Sequence, residues 1–337
     1  TLFINSNYLI TFNSDNFEIT EKPITVTADP NQSKVYGASD PSEFAYTVTG
    51  EVVSGDSFTG ALAREYGENI GLYQITIGSL SLGSNYDLSY VPDNFNIVPK
   101  PVTIIADAGQ NKVYGESDPE LTFTITGGLV SGDTYSGALS RDFGEDVGFY
   151  NISQGSLVLP NNYDVSYEGA DFEIIAKEIV VNVEPNQNKI YGEADPDMYQ
   201  YSFTGTLESG DEFSGELERE PGENAGLYEI LLGSLTINDN YSIIYNSDDF
   251  EILKATPVLT WENPADIYYG TELSAIQLNA TSNVDGSFDY NPDFGTVLEI
   301  GDNQELSVEF TPDDATNYNN VQSVVHINVL LGSSIGD

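Results

Sequence analysis

The chain has 337 residues, no cysteine and a lopsided charge, with 54 Asp and Glu against 10 Lys and Arg for a formal net of −44. This composition excludes disulfide staples and thiolate zinc sites, it repels nucleic acid and anionic lipid, and no apolar run approaches the roughly 20 residues a bilayer span needs. Tyr (22) and Phe (16) are plentiful while Gly (31) and Pro (15) interrupt the chain at short intervals, and no stretch sustains a helical apolar period, so several small all-β domains are expected.

Residues 1–20 read TLFINSNYLITFNSDNFEIT and match residues 79–98, with Tyr8 on Tyr86 and Phe17 on Phe95. They are expected to be the closing strands of a repeat whose front half is missing. No basic-then-apolar leader stands at Thr1, so the chain is expected to be an internal segment of something longer.

A full repeat follows over 21–99. Ile24, Val26 and Ala28 alternate with Thr25 and Thr27, as in a half-buried strand. Phe44, Tyr46 and Val48 alternate next; Phe58, Gly60 and Leu62 share a parity that also holds Arg64. An arginine on the apolar side of a strand needs a carboxylate. Tyr73, Ile75 and Ile77, then Tyr86, Leu88 and Tyr90, then Phe95 and Ile97 give three more strands. About seven short strands separated by Gly, Pro, Asp and Asn turns fit a small sandwich.

The same pattern returns over 100–176 and 177–253. Tyr36 to Tyr114 is 78 residues and Tyr114 to Tyr191 is 77, so the array is tandem. Every basic residue is placed: Lys34, Lys112 and Lys189 at one repeat position, Arg64, Arg141 and Arg219 at a second, and Lys22, Lys100, Lys177 and Lys254 at the seams. Four acidic positions recur, beginning at Asp29, Asp40, Asp56 and Glu68, and the rest of the acid is scattered over the surface. The short, proline-containing seams limit hinge freedom. An elongated rod on the order of 150 Å is expected. Residues 254–331 differ in wording but keep Trp261, Pro264, Tyr268-Tyr269-Gly270 and Asn317-Tyr318, and residues 332–337 read as a linker or cut end.

Tyr-Gly-x-x-Asp-Pro, Ser-Gly-Asp, Arg-x-x-Gly-Glu-x-x-Gly-x-Tyr, Gly-Ser-Leu and Asn-Tyr within one repeat resemble the MBG domain of the YGX type, found in tandem in large bacterial surface adhesins. Residues 254–331 look like a bacterial Ig-like repeat. The resemblance implies a tandem array of Ig-like β-sandwiches in the non-catalytic stalk of a secreted adhesin at the bacterial cell surface, serving attachment or gliding. It implies no catalytic residue. The partners expected are neighbouring repeats of the same chain and an extracellular surface or polysaccharide, with the rod itself monomeric. The alternatives are a set of carbohydrate-binding modules on an exported multi-domain enzyme and a highly acidic protein of a salt-rich cytoplasm.

Among individual residues, His326 is read as an exposed strand residue because the chain offers it no catalytic or metal-binding partners. Arg64 with Glu68, Arg141 with Glu145 and Arg219 with Glu223 are read as structural ion pairs, with Asp56 a rival partner for Arg64. Lys34 near Asp40, and its repeats, suggest an intramolecular Lys-to-Asp crosslink of the kind some adhesin domains carry. Calcium is the one cofactor considered, with Asp29, Asp107, Glu184 and Glu262 as candidate ligands in the first loops of successive domains. The recurring tyrosines are expected to pack their rings and tie corners through their hydroxyls.

Overall fold

The computed structural model describes residues 2–332, and every regular element among them is a strand. No helix there is long and apolar enough to cross a membrane. The first repeat holds β1 (Lys22–Ala28), β2 (Ser33–Val35), β3 (Tyr46–Thr49), β4 (Ala63–Arg64), β5 (Gly71–Thr76), β6 (Tyr86–Val91) and β7 (Asn94–Val98). In β1 the alternation is realised as read: Ile24, Val26 and Ala28 are buried and the threonines lie half-exposed between them.

These strands form two sheets, β3-β1-β6 and β2-β7-β5-β4. β1 pairs parallel with β6 and β2 parallel with β7, while the remaining pairs are antiparallel. Val26 and Ala28 from the first sheet pack with Ile75, Phe95 and Ile97 from the second in one core. Burying a ring such as Phe95 contributes about 1.5–3 kcal/mol.

The second repeat runs β8 (Lys100–Ala106), β9 (Gln110–Val113), β10 (Phe123–Thr126), β11 (Ser140–Arg141), β12 (Gly148–Ser153), β13 (Tyr163–Glu168) and β14 (Ala170–Ile175). The third runs β15 (Lys177–Val183), β16 (Gln187–Ile190), β17 (Tyr201–Thr204), β18 (Glu218–Arg219), β19 (Gly226–Leu231), β20 (Tyr241–Asn246) and β21 (Asp249–Leu253). Both keep the strand order of the first. The parallel register is also kept, with Lys22 opposite Tyr86, Lys100 opposite Tyr163 and Lys177 opposite Tyr241.

The last segment has β22 (Leu259–Thr260), β23 (Ile267–Tyr268), β24 (Thr281–Ser282), β25 (Gly286–Asn291), β26 (Gly301–Pro312) and β27 (Val321–Leu330). Its sheets are β22-β24 and β23-β27-β26-β25, around a core that includes Leu306, Val308, Val325 and Ile327. His326 and Asn328 alternate with buried Val325, Ile327 and Val329 and lie half-buried on the other face. The chain divides into two compact units, residues up to 112 with 117–174, and residues 113–116 with 175 onward.

Two expectations need correction. Residues 2–20 form no strand, and Leu2, Phe3, Leu9, Phe12, Phe17 and Ile19 are exposed. In the complete repeats β6 takes its ladder from β1, and β7 from β2 and β5; residues 8–19 have no such partners in this sequence, and unpartnered strands are not stable in water. The strand expected through Phe58, Gly60 and Leu62 shrinks to a single bridge, Thr59 to Ser81, before β4. The linker expected at 332–337 lies outside the described residues beyond Gly332.

Candidate functional site

Each repeat places two cations inside the end of its sandwich. Lys34 is the middle residue of β2, flanked by exposed Ser33 and Val35, so strand alternation turns it inward. Arg64 ends β4 opposite Ile75, and its side chain is only 6% exposed. The guanidinium lies 5.2 Å from the ring centroid of Tyr73 and 5.6 Å from that of Phe95, contacts that contribute about 0.5–2 kcal/mol when desolvated.

Two turns bring the counter-charges. Asp40 accepts Arg64 Nε and Nη2 at 2.8 and 3.0 Å, and Glu68 accepts Nη2 at 2.6 Å. Arg64 Nη1 donates to the carbonyls of Glu65 and Gly67 at 2.9 and 2.6 Å. Lys34 Nζ meets Asp40 at 2.7 Å and Glu68 at 2.5 Å. All five guanidinium N–H groups are therefore used within the repeat. The turn at Gly67 requires glycine, since a Cβ there would sit 2.1 Å from the Tyr73 ring, whose hydroxyl donates to the Asn69 carbonyl at 2.8 Å.

The second and third repeats reproduce this cage. Arg141 is paired with Asp118 and Glu145 at 2.7 Å each, and Lys112 with Asp118 at 2.7 Å and with Glu145. Arg219 and Lys189 are held likewise by Asp195 and Glu223. The arginine–glutamate pairs read from the sequence are thus brought together, but as half of a four-charge cluster whose bidentate partner is the Asp of Asp-Pro. Asp56 is not in it.

The electrostatics set what this cluster can do. Burial alone would lower the Lys34 and Lys112 ammoniums, but hydrogen bonds to their Asp and Glu partners outweigh it and raise both. The hydrogen bonds from Arg141 and Arg219 hold Asp118 and Asp195 down at about 2. A Lys-to-Asp amide needs a neutral amine and a protonated carboxyl, and the cage favours the opposite state of each. Intact mass is therefore expected to equal the sequence mass; loss of one water per repeat would show the crosslink. Cavities lie beside the cage, lined by Asp118, Arg141 and Glu145 in the second repeat and by Asp195, Arg219 and Glu223 in the third. The arginine donors point at their own repeat, with none left over for a ligand.

The depressed carboxyls also set an acid limit. A group whose folded pKa lies below its unfolded value near 3.9 contributes stability above that value and loses it as pH falls through the folded pKa. For Asp118 and Asp195 the window runs from near pH 4 down to about 2. The melting temperature is expected to fall across it, with a smaller fall in Asp118→Asn plus Asp195→Asn.

A second set of motif residues joins successive repeats. Within the first unit, Tyr36 OH of the Tyr-Gly turn donates to Asp133 Oδ2 at 2.9 Å. Tyr163 OH donates to the same oxygen at 2.6 Å and accepts the Val130 N–H at 2.7 Å. The two rings meet edge to face with centroids 5.6 Å apart. Gly37, at φ +80°, packs so closely that a Cβ would lie 2.4 Å from Val130 Cγ2. Asn162 closes the seam: its Oδ1 accepts the Ile70 N–H at 3.1 Å and its Nδ2 donates to Asn69 Oδ1 at 3.0 Å.

Within the second unit, Tyr114 OH and Tyr241 OH both donate to Asp211 Oδ2, at 3.1 and 2.7 Å. Tyr191 packs edge to face on Tyr318 at 5.5 Å, and Asn317 bonds Ala225 N–H and Asn224 Oδ1 at 2.8 and 3.2 Å. The last segment thus receives the third repeat through the same Asn-Tyr pair. The corner that the Tyr36 hydroxyl ties is made with Asp133 of the next repeat.

The calcium candidates have local partners. Asp29 and Asp107 accept from Thr47 and Thr124 at 2.7 and 3.2 Å, and the Glu184 N–H bonds the Gln200 carbonyl. Among the described residues no group of three or more His, Cys, Asp or Glu, with Glu262 or otherwise, is placed to hold a metal ion.

No curated protein matches the chain. Solved structures showing a likeness include Sidekick-1 immunoglobulin domains 1-5, at 10% identity over 91% of this chain and 80% of that one with a TM-score of 0.24. Drosophila N-cadherin EC1-4 follows at 8% identity over 83% and 94% with a TM-score of 0.20. Scores this low carry no structural weight. The family model of the MBG domain (YGX type) matches residues 24–96, 102–173 and 179–251, the three stretches that hold the cages and the tyrosine turns. The chain belongs to the MBG domain (YGX type) family.

Proposed function

We propose that this chain is a spacer in the stalk of a secreted bacterial surface adhesin, working outside the cell in attachment or gliding. The observation that carries this reading is where the motif residues go. Instead of converging on a ligand, they close each sandwich through the charge cage and join it to its neighbour through the tyrosine seam. Separate cores, with charges neutralised inside each repeat, suit a chain that transmits tension. Residues 254–331 are the Ig-like repeat ending this stretch, and cations associate with the acidic surface diffusely, so calcium and magnesium at equal ionic strength should shift melting alike.

Stretching single chains tests the reading. Four unfolding events are expected, each releasing roughly 25 nm of contour length. One cooperative event, or extension without force peaks, would count against it.

One observation favours a carbohydrate-binding reading. Phe143 is 100% exposed at the rim of the cavity lined by Asp118 and Glu145, and an exposed ring beside carboxylates suits a sugar face. Glycan-array binding by this chain that is lost in Phe143→Ala would establish it.

A further inference from the structure

The seam in the first unit has two faces, a tyrosine turn that leaves one repeat and a receiving face on the next. The receiving face is built by Val130, Asp133, Asn162 and Tyr163. Its counterpart on the first repeat is complete. Tyr86 OH donates to Asp56 Oδ2 at 2.6 Å and accepts the Val53 N–H at 2.9 Å, and the Asn85 carbonyl accepts the Lys22 N–H at 2.9 Å as that of Asn162 accepts Lys100.

What differs is occupancy. Asp133, Asp211 and Asn162 are half-buried, whereas Asp56 and Asn85 are exposed. Together with Gly55, Leu82, Gly83 and Tyr86 they line an open cavity of about 340 Å³. The hydrogen bond Asp133 receives from Tyr36 has no counterpart at Asp56 among the described residues.

We propose that this face is a docking socket for the tyrosine turn of a further domain of the same kind, one whose closing strands are residues 2–20. Two observations name that occupant. The residues directly ahead of Glu21 repeat the closing strands in register, Tyr8 on Tyr86 and Phe17 on Phe95. The turn before the tyrosine is already made: Tyr8 N–H bonds the Asn5 carbonyl at 3.3 Å, as Tyr86 bonds Gly83, Tyr163 bonds Pro160 and Tyr241 bonds Asn238, each at 3.2 Å. Of the exposed apolar residues in this segment, Leu2, Ile4, Tyr8, Phe17 and Ile19 stand at the positions of Leu80, Leu82, Tyr86, Phe95 and Ile97, which the complete repeat buries. The incoming hydroxyl would donate to Asp56, and its Gly-Glu-Asn loop would meet Asn85. None of this depends on where the chain works.

A rival occupant sits on the same chain. Tyr269 holds the donor geometry, its N–H on the Leu330 carbonyl at 2.9 Å as Tyr36 N–H is on Val98, and at 52% exposed it is open to solvent. A second copy could present it to the socket, an open head-to-tail contact. Like charge opposes that encounter, while a domain in the same chain meets no such barrier.

The test places a second copy of residues 21–78 ahead of Thr1, so that it and residues 1–20 complete one repeat, and compares amide exchange with that of the original chain. The expected result is slowing of at least about tenfold both in residues 2–20 and around 53–56 and 85–86, the second effect lost when the tyrosine of the added turn becomes phenylalanine. Protection of 2–20 without protection of the socket overturns the proposal, as does failure of 2–20 to become protected. Concentration-dependent protection of the socket in the original chain, abolished by Tyr269→Phe, assigns it instead to a second copy.

Discussion

Phe172→Ala is expected to destabilise the second repeat by about 3–5 kcal/mol, the range for removing a fully buried ring from a packed core. Phe172 is 0% exposed, sits on the central β14 opposite Tyr150, and carries the Arg141 guanidinium at 5.4 Å from its centroid. A domain of this size holds only about 4–12 kcal/mol, so the substitution brings the repeat to the edge of unfolding. The third repeat and the last segment have cores of their own. Amide exchange resolved by repeat should show the loss concentrated between 100 and 176. A loss below about 1 kcal/mol would mean that the ring is not the keystone its burial indicates.

Arg141→Met is expected to cost about 2–3 kcal/mol, below the 3–5 kcal/mol of a fully buried pair because its carboxylate partners remain wetted. The change leaves Lys112 facing Asp118 and Glu145 with net negative charge and orphans the carbonyls of Asp142 and Gly144 that Nη1 served. Arg141→Lys should recover little, since an ammonium cannot reproduce five bonds in a planar fork. Denaturant midpoints of the two variants check both statements. Near-equal stability of wild type and Arg141→Met would show the cage to be electrostatically idle.

Much of the single repeat was legible. Alternation marked β1, β5, β6 and β7, and parity alone put Arg64 on the apolar side. β2 was hidden because its inward residue is Lys34, which a hydrophobic pattern reads as outward. The parallel pairing of β1 with β6 was hidden as well, because those strands are far apart in sequence and no turn fixes their register.

The seam was hidden for another reason. Tyr36 and its acceptor are 97 residues apart, and because both motifs recur in every repeat, a bond to Asp56 and a bond to Asp133 look the same in the sequence. Residues 2–20 show the converse: a strand pattern without a partner strand leaves exposed chain.

The sharpest test of motif residues that build and join domains is a pair of double-mutant cycles read by denaturant unfolding. Tyr36→Phe with Asp133→Ala is expected to give a coupling of about 0.5–2 kcal/mol. Tyr36→Phe with Asp56→Ala should add within about 0.3–0.5 kcal/mol. Coupling to Asp56 in place of Asp133, or to neither, would contradict a seam made by the recurring tyrosine.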